Sequence, residues 1–92
     1  MELFATQHAT VRQQQRGIPT HVIDTLINYG KVNYDHHGAE ILTFPKSVRQ
    51  KLRNALPKSK YVALESHFDC YAVMSDGVII TVGHRTKRLK GH

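Results

Sequence analysis

The 92-residue sequence has one cysteine, seven acidic residues, and no apolar stretch near the ~20 residues that cross a bilayer. Each scarcity closes a class. Cys70 alone forms no intramolecular disulfide, which excludes a disulfide-stapled secreted module. The missing apolar run excludes a transmembrane helix and predicts no membrane partner. The opening MELFATQHAT lacks both a basic start and a long apolar stretch, so no signal peptide is expected and the expected location is cytoplasmic. Domains usually run ~50 to 200 residues, so residues 1–92 make a single domain. With 40% apolar and 22% charged residues, the composition is that of a globular chain and not of a disordered one.

Positive charge is what the chain has in excess. Thirteen Lys and Arg against seven Asp and Glu give a net charge of +6, and the excess is unevenly placed. Residues 1–44 hold Arg12, Arg16 and Lys31 against four acids; residues 45–92 hold ten cations against Glu65, Asp69 and Asp76. A cationic half within one small domain suits a polyanion, most often nucleic acid, bound with steep salt dependence. The alternative is a surface whose lysines only keep molecules apart.

Local signals predict an α+β fold, with N-terminal helices packed on a twisted, mainly antiparallel sheet and an additional basic helix between strands. Thr6 is a candidate N-cap for a first helix running to about Gln15 or Arg16, and Gly17 supplies its left-handed stop. Pro19 suits the first turn of a second helix, whose Val22, Ile23, Leu26 and Ile27 form a core stripe and which Gly30 ends. Residues Lys31 to His36 and Ala39 to Phe44 predict two strands around His37-Gly38. Pro45 opens a third helix to about Leu56, with Lys46, Arg49 and Arg53 opposite its apolar stripe. Tyr61 to Leu64 predict a strand, and Asp69 to Met74 and Val78 to Arg85 a hairpin closed by Ser75-Asp76-Gly77. The polar tail is expected to fray from about Leu89.

Two groups of residues could carry chemistry. His8, Arg12 and Arg16 stand four residues apart on the first helix, a ridge that could clamp phosphate or simply pair with carboxylates. His84 and Arg85 end the last strand, followed by Lys87 and Arg88. Strand alternation puts His84 on one face and Arg85 on the other, and Gly83 leaves room for a ligand or marks a bulge. An imidazole titrating near pH ~6.5 beside fixed cations supplies what metal-free RNA cleavage needs. A base deprotonates the 2′-hydroxyl, a cation stabilises the phosphorane, and an acid protonates the leaving 5′-oxygen. A basic strand end that only meets solvent or a partner is the other reading. Among possible metal ligands are His36-His37 and His67-x-x-Cys70. Neighbouring histidines in a hairpin point to opposite faces and no paired Cys-x-x-Cys appears, so no metal site and no cofactor is expected.

The opening His8-Ala9-x-x-Arg12-x-x-x-Arg16-Gly17-Ile18, the helix-ending Gly30, and the closing Asp76-Gly77-x-x-Ile80-Thr81-Val82-Gly83-His84-Arg85 resemble the bacterial domain-of-unknown-function 4258 family. That family is grouped with the barnase, EndoU, colicin and RelE-like ribonucleases, many of them toxins. The resemblance implies helices followed by a twisted antiparallel sheet, and metal-independent cleavage of RNA. Carried onto this sequence, it points to His8, Arg12, Arg16, His84 and Arg85 as the candidate catalytic set. Lys46, Arg49, Arg53, Lys87 and Arg88 would be the RNA-binding set. The function expected is an endoribonuclease, as the toxin of a toxin–antitoxin pair, with RNA and an acidic antitoxin or immunity protein as partners. A non-catalytic basic module that binds nucleic acid or protein is the alternative.

Overall fold

The computed structural model of the protein describes residues 4–85. The expectations for Lys87 and Arg88 as RNA contacts, and for a frayed tail, lie outside the described residues. Within them the fold is α+β, four helices and a five-stranded sheet whose first strand lies at one edge beside the fifth, followed in space by the fourth, third and second.

β1 (Phe4–Ala5) pairs parallel with the last strand, and no sequence signal announces it. α1 (Gln7–Arg16) begins where expected, because Thr6 Oγ1 accepts the Ala9 N–H at 3.1 Å. It ends in a Schellman motif. Gly17 sits at φ 63°, its N–H reaches the Gln14 carbonyl, and Ile18 N–H reaches Gln13 at 3.0 Å while its side chain enters the core. α2 (Thr20–Tyr29) follows Pro19 and buries Val22, Ile23 and Leu26. Gly30 ends it for a steric reason. Its φ of −63° is open to any residue, but a Cβ there would collide with the Leu26 carbonyl oxygen and sit 3.2 Å from that of Thr43.

β2 (Lys31–Tyr34) and β3 (Glu40–Thr43) form an antiparallel hairpin shorter than the sequence suggests. Asp35 cuts it short, its carboxylate accepting the N–H groups of His37 (2.8 Å) and Ala39 (2.9 Å) while Gly38 takes φ 84°.

α3 (Lys46–Ala55) buries Val48 and Leu52. The strand expected over Tyr61–Leu64 does not form; those residues belong to α4 (Lys58–Glu65). Pro57 stops α3 and also starts α4, since its carbonyl accepts both Lys60 and Tyr61 N–H groups at 3.0 Å. Helical phase then buries Leu64 alone and leaves Val62 52% exposed, which overrides the strand preference of Tyr61 and Val62.

β4 (Cys70–Ser75) and β5 (Val78–His84) are joined by Asp76 (φ 53°) and Gly77 (φ 77°), a two-residue turn with both central residues left-handed. The ladder is regular from Ser75↔Val78 to Met74↔Ile79 and then skips Ile80, so that Val73 pairs with Thr81. This bulge is why Ile79 and Val82, three residues apart, are both buried. One face of the sheet (Leu42, Cys70, Ala72, Ile79, Val82) closes on the four helices as a single core. Strand β2 is exposed throughout, Tyr34 to 67%.

Candidate nucleic-acid interface

The amphipathic pattern that buries Val48 and Leu52 turns Lys46, Arg49 and Arg53 the other way. With α4 and the turn before β4 as the opposite wall, they line a concavity of about 550 Å³, floored by Tyr61 and Phe68. A second concavity of about 560 Å³ lies on the α4 side and shares Arg53, Tyr61 and Glu65 with the first, extending the trough to Lys58. Arg49 is the most buried cation of the group. It is half-buried, its Nε is buried without a hydrogen-bond partner, and its guanidinium carbon lies 6.0 Å from the Phe68 ring centroid. Phe68 is fixed in turn by Phe44 (5.3 Å between centroids) and Tyr61 (5.6 Å). Glu65 and Asp69 also line the trough and temper its charge.

The residues expected to be catalytic stand on two elements: α1 carries His8, Arg12 and Arg16, and β5 ends in His84, followed by Arg85. His8 and Arg16 are exposed on α1, and Arg12, half-buried between them, has an Nε that is buried and unpartnered. The ridge is therefore real, and it stands on a helix packed against β5. Thr6 anchors its start, donating its N–H to Ile79 O at 2.9 Å and its hydroxyl to Ile80 O at 3.5 Å. His84 closes the same strand five residues beyond Ile79, ~16 Å along at about 3.3 Å per residue. His8 and His84 thus belong to opposite ends of β5.

Arg85 parts from His84. Its N–H donates to the Asp69 carbonyl at 2.6 Å, and its side chain lines a shallow concavity of about 340 Å³ on the open sheet face with Asn33, Ile41, Thr43 and Tyr71. Gly83 does not open a ligand space, as its sequence position suggests. It pairs with Tyr71, whose ring fills the vacancy so closely that a Cβ would lie 3.1 Å from Cε1 and Oη. The bulge is at Ile80 instead. None of these three concavities is lined by His8, Arg12, Arg16 or His84.

His84 has other company. One ligand atom each from His67, Cys70 and His84 lie within 4.8 Å of one another. The sequence displays His67-x-x-Cys70, but the third member arrives only because the Ile80 bulge shifts β5 by one residue and sets His84 opposite Cys70. Cys70 is 0% exposed, and burial, with a smaller contribution from the Asp69 charge, pushes its thiol up to about 12. Such a thiol is no nucleophile by itself. His67 is half-buried, and its Nδ1 is buried without a hydrogen-bond partner.

No family, curated protein or solved structure matches this chain on comparison. Among the described residues no helix is long and apolar enough to cross a membrane.

Proposed function

We propose that the protein binds single-stranded RNA along the α3–α4 trough. The observation that carries this reading is the Arg49–Phe68 stack within a row of cations. Phosphate contacts from Lys46, Arg49, Arg53 and Lys58 would hold the backbone without reading sequence. Tyr61 and Phe68 offer ring surface for bases, a combination typical of single-strand binding. Two side-by-side helices make a trough and not a projecting reading helix, which favours a flexible strand over a duplex groove. The test is fluorescence anisotropy of a labelled single-stranded RNA against rising salt. Salt-sensitive binding that Arg49→Ala weakens supports the reading; binding indifferent to Arg49 and Arg53 refutes it.

Cleavage of the bound RNA is the second reading, favoured by the α1 ridge and by the resemblance to ribonuclease toxins. In it Arg12 and Arg16 hold the scissile phosphate. His8 or His84 moves the proton singly, since the two stand at opposite ends of β5. An acidic antitoxin would then cover the same cationic surface. Labelled RNA incubated in EDTA with the wild type, His8→Ala and His84→Ala decides: loss of cutting in one variant names the shuttle. Intact RNA in all three leaves binding alone.

A further inference from the structure

We propose that His67, Cys70 and His84 form a binding site for a thiophilic divalent cation of the zinc class, with one coordination position left open. The three donors come from two segments that the fold brings together. His67 and Cys70 flank the turn between α4 and β4, held by the Cys70 N–H on the His67 carbonyl at 3.0 Å, and His84 is the cross-strand partner of Cys70. The x₂ spacing of the first pair is that of many zinc-binding turns.

The size is right. Tetrahedral zinc with bonds of ~2.0 to 2.3 Å sets neighbouring ligand atoms roughly 3.3 to 3.6 Å apart. The three atoms already lie within 4.8 Å, so closure by ~1 Å completes the set. His84 is exposed at the strand end and can make that movement by side-chain rotation. The donors suit the ion as well, since two imidazoles and one sulfur favour zinc over magnesium or calcium. The imidazole of His67 has a buried nitrogen with no hydrogen bond, a group with more to gain from a ligand than a solvated one. Cys70 would bind as thiolate, its proton passing to solvent. Because His84 is exposed and Cys70 is buried, the open position faces outward, toward water or an added ligand.

Two consequences link the site to the rest of the molecule. A bound ion would tie the α4–β4 turn to β5 and so fix Phe68 and Asp69, which end the RNA trough. It would also withdraw His84 from proton transfer, leaving His8 as the free imidazole of the cleavage reading.

The experiment is titration of the reduced, metal-stripped full chain with Co²⁺, followed by absorbance and then by Zn²⁺ displacement. One equivalent should produce a thiolate-to-cobalt charge-transfer band with tetrahedral visible bands, both bleached by zinc. His84→Ala, at an exposed position, should fold normally and bind roughly ten-fold or more weakly. His67→Gln should behave alike, and Cys70→Ser should lose the sulfur band. A His36→Ala/His37→Ala double variant should keep every band, which separates the site from adventitious binding at the hairpin. Cobalt bound by the wild type without a sulfur band, or an unchanged affinity in His84→Ala, overturns the assignment. None of these readouts involves RNA, so the metal site and the trough stand or fall separately.

Discussion

The guanidinium of Arg49 lies over the ring of Phe68 at 6.0 Å, and Phe68 is wedged between Phe44 and Tyr61. A surface charge is thereby positioned by the hydrophobic core: Phe44 is buried, Phe68 packs on it, and Arg49 packs on Phe68. Arg49→Lys keeps the charge and loses the planar stack. RNA affinity should fall about two- to five-fold as the fixed planar fork is lost, and the loss of the intramolecular cation–π contact should cost about 0.5 to 1 kcal/mol of stability. Anisotropy and a melting curve on the same preparation check both halves.

Gly30 permits close approach and does not serve as a left-handed cap. Gly30→Ala forces a Cβ into the Leu26 carbonyl, so α2 must shift against β3. The expected loss is about 2 to 3 kcal/mol in urea unfolding, large for a one-carbon change. A loss under ~0.5 kcal/mol would show that the helix end adapts freely.

Backbone N–H bonds from Ala39 and then His37 hold the Asp35 carboxyl below its ordinary value of 3.8. The folded hairpin therefore prefers the ionised form. Its contribution is present above the ordinary carboxylate range and is lost as pH falls through the lowered value. Protection of the His37 and Ala39 amides, taken relative to the intrinsic exchange rate at each pH, should fall in the wild type as pH drops below the ordinary carboxylate range. Asp35→Asn, which still offers an acceptor, should remove that acid dependence.

Cys70 in the metal-free protein should resist alkylation. With the thiol pushed up from 9.0 to about 12, the thiolate fraction at pH 8 is roughly a thousand-fold smaller than in the unfolded chain. Iodoacetamide labelling should slow accordingly and recover in urea. A group with a raised folded value stabilises below the unfolded value, so stability should decline as pH rises from 9 toward 12. Equal labelling rates in buffer and urea would contradict the burial of Cys70.

Where structure is set by neighbours in sequence, it was legible. Thr6 and Gly17 bracket α1, and Asp76-Gly77 can only turn back on itself, so helix and hairpin follow from the residues. The basic face of α3 follows from the spacing of Lys46, Arg49 and Arg53. What depends on distant partners was not legible. β1 is two residues long and exists through Val78 and Ile79. Tyr61–Leu64 carry strand-like side chains yet are placed by Pro57 and the burial of Leu64. Where α1 starts against β5 is set by Thr6 on Ile79 and Ile80, and Arg85 turns to the open sheet face, placements that no local pattern announces. The meeting of His84 with His67 and Cys70 turns on a one-residue bulge at Ile80, which no local pattern announces.

The most direct test of the central claim is the salt dependence of binding to single-stranded RNA, wild type against Lys46→Ala/Arg49→Ala/Arg53→Ala. Each phosphate contact contributes about 0.7 to the slope of log affinity against log salt. The triple variant should bind more weakly, with a slope shallower by about 2. Equal affinity and equal slope in the two proteins would contradict the trough as the RNA-binding surface.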